Sequence, residues 1–149
     1  NLMKAFNIDK SIIRGVELEL ESRPVKFFQA VLRGTIQDPR DDGASKAYNG
    51  KLLPGEPVHS YFAEGTFFLP FDLRAIFQTT YRTRIFSDRM NFTRQPSVAR
   101  YNASLAWQPW EKTQVIFAVD NISDETYRNI YTPFPAPGRE YRFTLIQGF

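Results

Sequence analysis

Apolar and polar residues alternate at period two through most of this 149-residue chain, and that pattern leaves few folds open. In an extended strand successive side chains point to opposite faces, so alternation marks a strand with one apolar face. From Phe71 to Ile85, the residues Phe71, Leu73, Ala75, Phe77, Tyr81 and Ile85 share one face, interrupted by Thr79 and Thr83. Asp72, Arg74, Gln78, Thr80, Arg82 and Arg84 share the other. Over 97–107, Ala99, Tyr101, Ala103, Leu105 and Trp107 oppose Arg100, Asn102 and Ser104. Over 113–120, Val115, Phe117 and Val119 oppose Gln114, Ile116, Ala118 and Asp120.

Earlier and later segments behave alike. Val16, Leu18 and Leu20 oppose Glu17, Glu19 and Glu21 over 14–22. Phe28, Ala30, Leu32 and Ile36 oppose Gln29, Arg33, Thr35 and Gln37 over 26–38. Over 59–69, Tyr61, Ala63, Phe67 and Leu69 oppose Ser60, Glu64 and Thr66, with Phe62 and Phe68 blurring the pattern. The chain closes on Tyr141, Phe143, Leu145 and Phe149 on one face, with Arg142, Thr144, Ile146 and Gly148 on the other. The reading is all-β, about seven strands with no convincing helix.

The connections sort by length. Arg23-Pro24-Val25, Pro70 with its neighbours, and Pro109-Trp110-Glu111-Lys112 are short; 39–57, 87–96 and 121–138 are long. Short and long alternate strictly, so an antiparallel meander puts every short turn at one end and every long loop at the other. Outer-membrane barrels have that asymmetry.

Composition narrows the rest. Fourteen Phe, seven Tyr and two Trp bring aromatics to 15%, as β-rich proteins favour. The formal charge of +3 is spread along the chain, without the basic cluster of a nucleic-acid footprint. There is no cysteine, so neither a disulfide framework nor a thiolate metal site can form. No apolar run approaches the ~18 residues of a spanning helix. A negative mean hydropathy of −0.39 does not close the membrane question, because a spanning strand needs only ~10 residues with one apolar face. The opening Asn-Leu-Met-Lys has no apolar h-region or cleavage site; an exported protein would carry its targeting segment upstream.

Alternation alone does not say which solvent the apolar face meets. In a soluble sandwich that face is the core; in a membrane barrel it meets lipid and the polar face lines the lumen. Aromatics at the strand ends bear on the choice. Leu69, Phe71, Trp107, Trp110 and Phe149 fall at the short-turn end, and Tyr61, Tyr81, Tyr101 and Tyr141 nearer the long loops. Rings at both interfaces form the girdles of membrane barrels. A soluble all-β ligand-binding module is the alternative; a small outer-membrane enzyme or porin is a third reading.

Four stretches resemble the C-terminal part of a TonB-dependent outer-membrane receptor. They are Phe6-Asn7-Ile8-Asp9-Lys10 followed by Arg14-Gly15-Val16-Glu17-Leu18-Glu19; Leu53-Pro54-Gly55-Glu56-Pro57-Val58-His59; Val119-Asp120-Asn121-Ile122-Ser123-Asp124-Glu125-Thr126-Tyr127; and Pro137-Gly138-Arg139-Glu140-Tyr141. They occur in family order across nearly the whole chain. The resemblance implies an antiparallel transmembrane β-barrel meander in the bacterial outer membrane. Residues 1–149 would supply about seven C-terminal strands of a roughly 22-stranded barrel, with the plug domain and earlier strands absent. It implies active transport of a scarce nutrient, of the ferric siderophore, haem or corrinoid class, energised by TonB. The implied partners are the remaining barrel and plug, TonB through the missing N-terminal part, lipid and a small-molecule ligand. The barrel assembly machinery would read the last strand, Tyr141, Phe143, Leu145 and Phe149, with the C-terminus on the periplasmic side. Gln147 departs from the pattern there, since an apolar residue is more usual.

Candidate site residues fall into two groups. On the polar face lie Glu17, Glu19, Glu21, Arg33, Glu64, Arg74, Arg82, Arg84, Arg100 and Arg142. The acidic row would suit a cation or simply a hydrated wall. The arginines would attract an anionic ligand, or pair with Glu64, Asp72, Asp120, the acidic row or plug residues. In the long loops, Tyr48, Phe92, Tyr127, Tyr131 and Phe134 would contact ligand or pack the loops together. His59 has no second His or Cys to complete a metal site. The spacing of Asp38, Asp41 and Asp42 does not match a calcium loop. No nucleophile elbow or phosphate-cradling glycine loop is present, so the reading is a non-enzyme without cofactor.

Overall fold

The computed structural model describes residues 8–126 and 135–148. Seven strands form one antiparallel sheet in the order β1-β2-β3-β4-β7-β8-β9. They are β1 (Ser11–Val25), β2 (Phe28–Asp41), β3 (His59–Leu69), β4 (Leu73–Arg82), β7 (Val98–Trp110), β8 (Thr113–Asp120) and β9 (Glu140–Gln147). A two-stranded ribbon, β5 (Ile85–Phe86) with β6 (Arg94–Gln95), stands apart inside the second long loop. No helix is long and apolar enough to cross a membrane.

The inter-strand register carries the alternation across the whole sheet. On one face the ladder reads Leu18–Gly34–Tyr61–Tyr81–Ala99, then Leu20–Leu32–Ala63–Thr79–Tyr101. Toward the short turns it reads Phe28–Phe67–Ala75–Leu105–Phe117–Phe143 and Leu69–Leu73–Trp107–Val115–Leu145. Neighbouring rings interlock: Tyr61 stacks on Tyr81 at 6.2 Å, Phe117 on Tyr141 at 6.5 Å, and Phe67 meets Phe77 edge-on at 6.3 Å. Nothing covers this face among the described residues. Leu18, Leu20, Leu32, Phe77, Leu105, Phe117, Phe143 and Leu145 are all exposed. A single sheet with an uncovered apolar face cannot be stable in water, because a domain needs a second layer over that face. Lipid supplies the missing layer.

Where the register brings two backbones close, glycine is required. A Cβ on Gly15 would lie 2.6 Å from the Ile36 carbonyl oxygen of the facing strand, a contact neither backbone can relieve. Gly34 admits the Tyr61 ring, which would stand 3.2 Å from an added Cβ.

Several boundaries differ from the pattern reading. β1 continues through Pro24 to Val25, and the turn is Lys26–Phe27. The register shifts between Ser22 and Val25, and such a bulge is where a strand tolerates a residue without an N–H. Pro109 likewise sits inside β7 where the register shifts between Trp107 and Trp110, leaving Glu111–Lys112 as the turn. Phe71 is not the first residue of a strand but part of the Pro70–Asp72 turn. Phe71 and Asp72 both have positive φ, 63° and 55°, as a tight hairpin turn that follows strand twist demands. β2 runs on to Asp41, so the first long loop is 42–58. β4 stops at Arg82, so Arg84 lies in a loop and not on the sheet wall.

Buried apolar side chains gather at the long-loop end. Leu53 from the first loop and Ile85 and Phe86 from the ribbon are buried, and Gly55 donates its N–H to the Phe86 carbonyl at 2.9 Å. The two loops therefore share a small core of their own.

Candidate functional site

The polar face is ordered in rows by the same register. Nearest the long loops comes Glu17–Thr35–Ser60–Arg82–Val98. Below it lie Glu19–Arg33–Phe62–Thr80–Arg100 and then Glu21–Val31–Glu64–Gln78–Asn102. Further down, Arg74 lies between Phe68 and Ala106, and Arg142 faces Ala118. Nine of the ten polar candidates thus share one face. Arg84 does not; it borders a hollow with His59, Tyr81 and Thr83.

The acids of this face are mostly matched. Arg33 Nε donates to Glu19 Oε1 at 2.9 Å, and Arg142 reaches Asp120 at 2.8 Å. Gln29 donates to Glu21 at 2.7 Å and Gln78 to Glu64 at 2.8 Å. Glu64 is therefore served by an amide and not by an arginine. Arg82 donates to the carbonyls of Thr83 and Pro96, at 3.3 and 3.2 Å. Arg100 differs: its Nε is buried with no hydrogen-bond partner among the described residues. A hollow of about 310 Å³ opens between Arg33, Arg82 and Arg100, with Thr35, Ser60, Phe62 and Thr80 in its lining.

At the long-loop end a second constellation ties the loops together. Asp41, 2% exposed, accepts two hydrogen bonds from the Arg89 guanidinium, at 3.0 and 2.6 Å, and one from the Gly43 N–H at 2.9 Å. Burial by itself would raise the Asp41 carboxyl. The Gly43 N–H and the Arg89 charge outweigh it and hold the group below the usual carboxylate value. The Arg89 guanidinium lies 4.2 Å over the Tyr48 ring, so Tyr48 packs within the loops. Two residues on, Asn91 accepts from the Leu52 N–H and donates to the Leu52 carbonyl, both at 2.8 Å. Asp88 accepts from the backbone N–H groups of Phe92 and Thr93, at 3.1 and 2.6 Å. Phe92 itself is 78% exposed, a ring displayed on a turn whose neighbours are pinned.

Asp38, Asp41 and Asp42 are each neutralised by a cation, Arg40, Arg89 and Lys10 respectively. Among the described residues no group of three metal-ligating side chains converges. His59 begins β3 and stands 3.4 Å from the Tyr61 hydroxyl.

The third loop is anchored by Asn121, which is fully buried. Its amide donates to the carbonyls of Glu125 and Pro137, at 2.8 and 3.2 Å, and its oxygen accepts the Glu125 N–H at 3.1 Å. Asp124 accepts the Arg139 N–H at 2.7 Å, and Arg139 Nε donates to the Ile122 carbonyl at 3.0 Å. A Cβ on Gly138 would fall 2.7 Å from Asp124 Oδ1. This box joins Asn121, Asp124, Gly138 and Arg139 of two of the quoted motifs. Pattern reading found the motifs but not the roles of Asn121, Arg89 or Asn91, which arise only when distant segments meet. Tyr127, Tyr131, Phe134 and Phe149 lie outside the described residues. Tyr141, Phe143 and Leu145 lie on β9 opposite Val119, Phe117 and Val115.

Comparison with known proteins follows this geometry. The ferric yersiniabactin uptake receptor FyuA of Yersinia pestis superposes with a TM-score of 0.75 at 21% identity, over 93% of this chain and 24% of that one. The siderophore receptor PiuA of Acinetobacter baumannii gives 0.78 at 20%, over 92% and 22%. The ferric-catecholate import receptor Fiu of E. coli K12 gives 0.77 at 16%, over 93% and 21%. The chain thus spans about a quarter of the length of these structures. No curated protein matches the sequence. The TonB dependent receptor-like β-barrel family matches residues 2–122, most of the chain, and to that family the chain belongs.

Proposed function

We propose that this chain forms seven neighbouring strands of a bacterial outer-membrane receptor that imports a scarce nutrient with energy delivered through TonB. The observation that carries the reading is the sheet itself, with an unopposed apolar face in register across seven strands and a polar, charge-lined face behind it. That is the wall of a barrel with lipid outside and a hydrated lumen inside. Family membership and the siderophore receptors named among the similar structures favour an iron chelate over haem or a corrinoid. The plug and the TonB-contacting segment belong to parts of the receptor outside this sequence. In this reading the long loops face outward, the short turns and the C-terminus face the periplasm, and β9 engages the assembly machinery. Exposed Phe92 is the loop aromatic placed to meet ligand.

A receptor-null strain carrying the complete receptor tests this. Growth on at least one member of a panel of ferric chelates, haem and corrinoids, lost when tonB is deleted, is the expected result. Growth that survives tonB deletion, or none on any member, contradicts it.

A further inference from the structure

We propose that Arg33, Arg82 and Arg100 form an oxyanion site on the lumen wall that holds the negatively charged groups of the transported chelate. This rests on the uptake reading and names the ligand class it favours. Arg33 and Arg100 stand in one row across β2, β3, β4 and β7, and Arg82 lies in the next row toward the long loops. All three border the same hollow of about 310 Å³, and its lining includes no acidic residue. Elsewhere on the face, Glu21, Glu64 and Asp120 each have a partner. The uncompensated charge is therefore concentrated here.

Arg100 carries the argument furthest. Its Nε is removed from solvent yet has no acceptor among the described residues. A buried guanidinium N–H without an acceptor is unfavourable until one arrives. Arg82 is aimed by its bonds to the Thr83 and Pro96 carbonyls, so its direction is set before any ligand binds. Arg33 is held by Glu19 in an exposed pair. Such pairs are weak and open to exchange. Hydroxyls of Thr35, Ser60 and Thr80 line the same hollow, adding donors that suit oxygen ligands. Phe62 offers a ring beside them, 5.5 Å from the Arg33 guanidinium carbon. The combination fits phenolate, catecholate or carboxylate oxygens on a net-negative ferric complex, and offers little to a neutral tris-hydroxamate. The site lies in the two rows nearest the long loops, where a ligand arriving from outside meets the wall first. A plug carboxylate would present the same oxyanion from inside the receptor.

The test uses the complete receptor, purified in detergent, with a ferric tris-catecholate and a neutral ferric tris-hydroxamate as probes. Binding is read by quenching of tryptophan fluorescence. The expected result is that the catecholate binds, that added salt weakens it, and that Arg100→Gln weakens it at least about tenfold. Arg100→Lys should retain more affinity than Arg100→Gln, and Arg74→Gln, near the short turns, should bind like wild type. Unchanged catecholate binding by folded Arg100→Gln and Arg33→Gln overturns the site. Unchanged binding together with increased entry of a large antibiotic in cells also overturns it, and assigns the arginines to a plug carboxylate. Wild-type binding of the hydroxamate alone overturns the site while leaving uptake intact. Binding of neither probe overturns the site too, and the growth panel then decides the uptake reading separately.

Discussion

Asn121 is the most committed side chain in the described structure. It is fully buried, has a positive φ of 56°, and serves both strands of the third loop through three backbone hydrogen bonds. Alanine there would leave two carbonyls and an N–H without partners, and we expect a loss of about 2–4 kcal/mol in loop stability. Asn121→Asp keeps the shape but sets an anion against the Glu125 and Pro137 carbonyls, so it should be at least as damaging. Hydrogen exchange over 121–126 and 135–139 reads both. Asp41 makes a parallel case. Arg89→Ala strands a buried carboxylate and should open the first two loops at a cost of about 3 kcal/mol, visible as faster proteolysis within 42–58. The pH dependence has a definite sign. Asp41 titrates below its ordinary value of 3.8, so its stabilising contribution is complete above that value and is lost as pH falls through the depressed one. Proteolysis of the loops should be flat from neutral pH down to about 4 and rise below it; a rise already at pH 6 would contradict the assignment.

At the scale of the strand, face and backbone spacing decide what is tolerated. Leu105 lies mid-strand on the apolar face and Ser104 beside it on the polar face. Leu105→Arg should cost about 2–4 kcal/mol in a lipid bilayer and Ser104→Arg much less, measured by urea unfolding in vesicles. Gly15→Ala should destabilise by about 1–3 kcal/mol because the clash is with backbone, and Gly34→Ala by less because the Tyr61 ring can shift. Equal costs would count against the register. These elements also show what was legible in the sequence. Alternation located all seven sheet strands, since each carries its own period over eight or more residues. Pro24 and Pro109 misled the turn positions, because a bulge that admits proline depends on the partner strand. The β5–β6 ribbon was invisible: two residues a side carry no period. The loop clamp joins residues 48 apart, and no local pattern encodes that distance.

For the whole molecule, the sheet makes sense only between two media. Its described residues bury almost no apolar side chain on either face, and the buried apolar cluster of Leu53, Ile85 and Phe86 sits above it in the loops. Candidate site residues were legible as a face but not as a constellation. Parity alone put nine polar side chains on one wall. Which arginine is paired to an acid, which to a carbonyl and which to nothing depends on register between strands. The central claim is that the leucine and tyrosine face meets lipid while the arginine and glutamate face lines an aqueous lumen. This segment contains no cysteine, so single cysteines can be placed at each position from 99 to 106 in an otherwise cysteine-free complete receptor and spin-labelled in vesicles. We expect oxygen collisions, which report lipid, to peak at 99, 101, 103 and 105, with contact to a water-soluble quencher or to protein at 100, 102, 104 and 106. Loss of the period-two pattern, or an oxygen maximum at the even positions, would contradict the account.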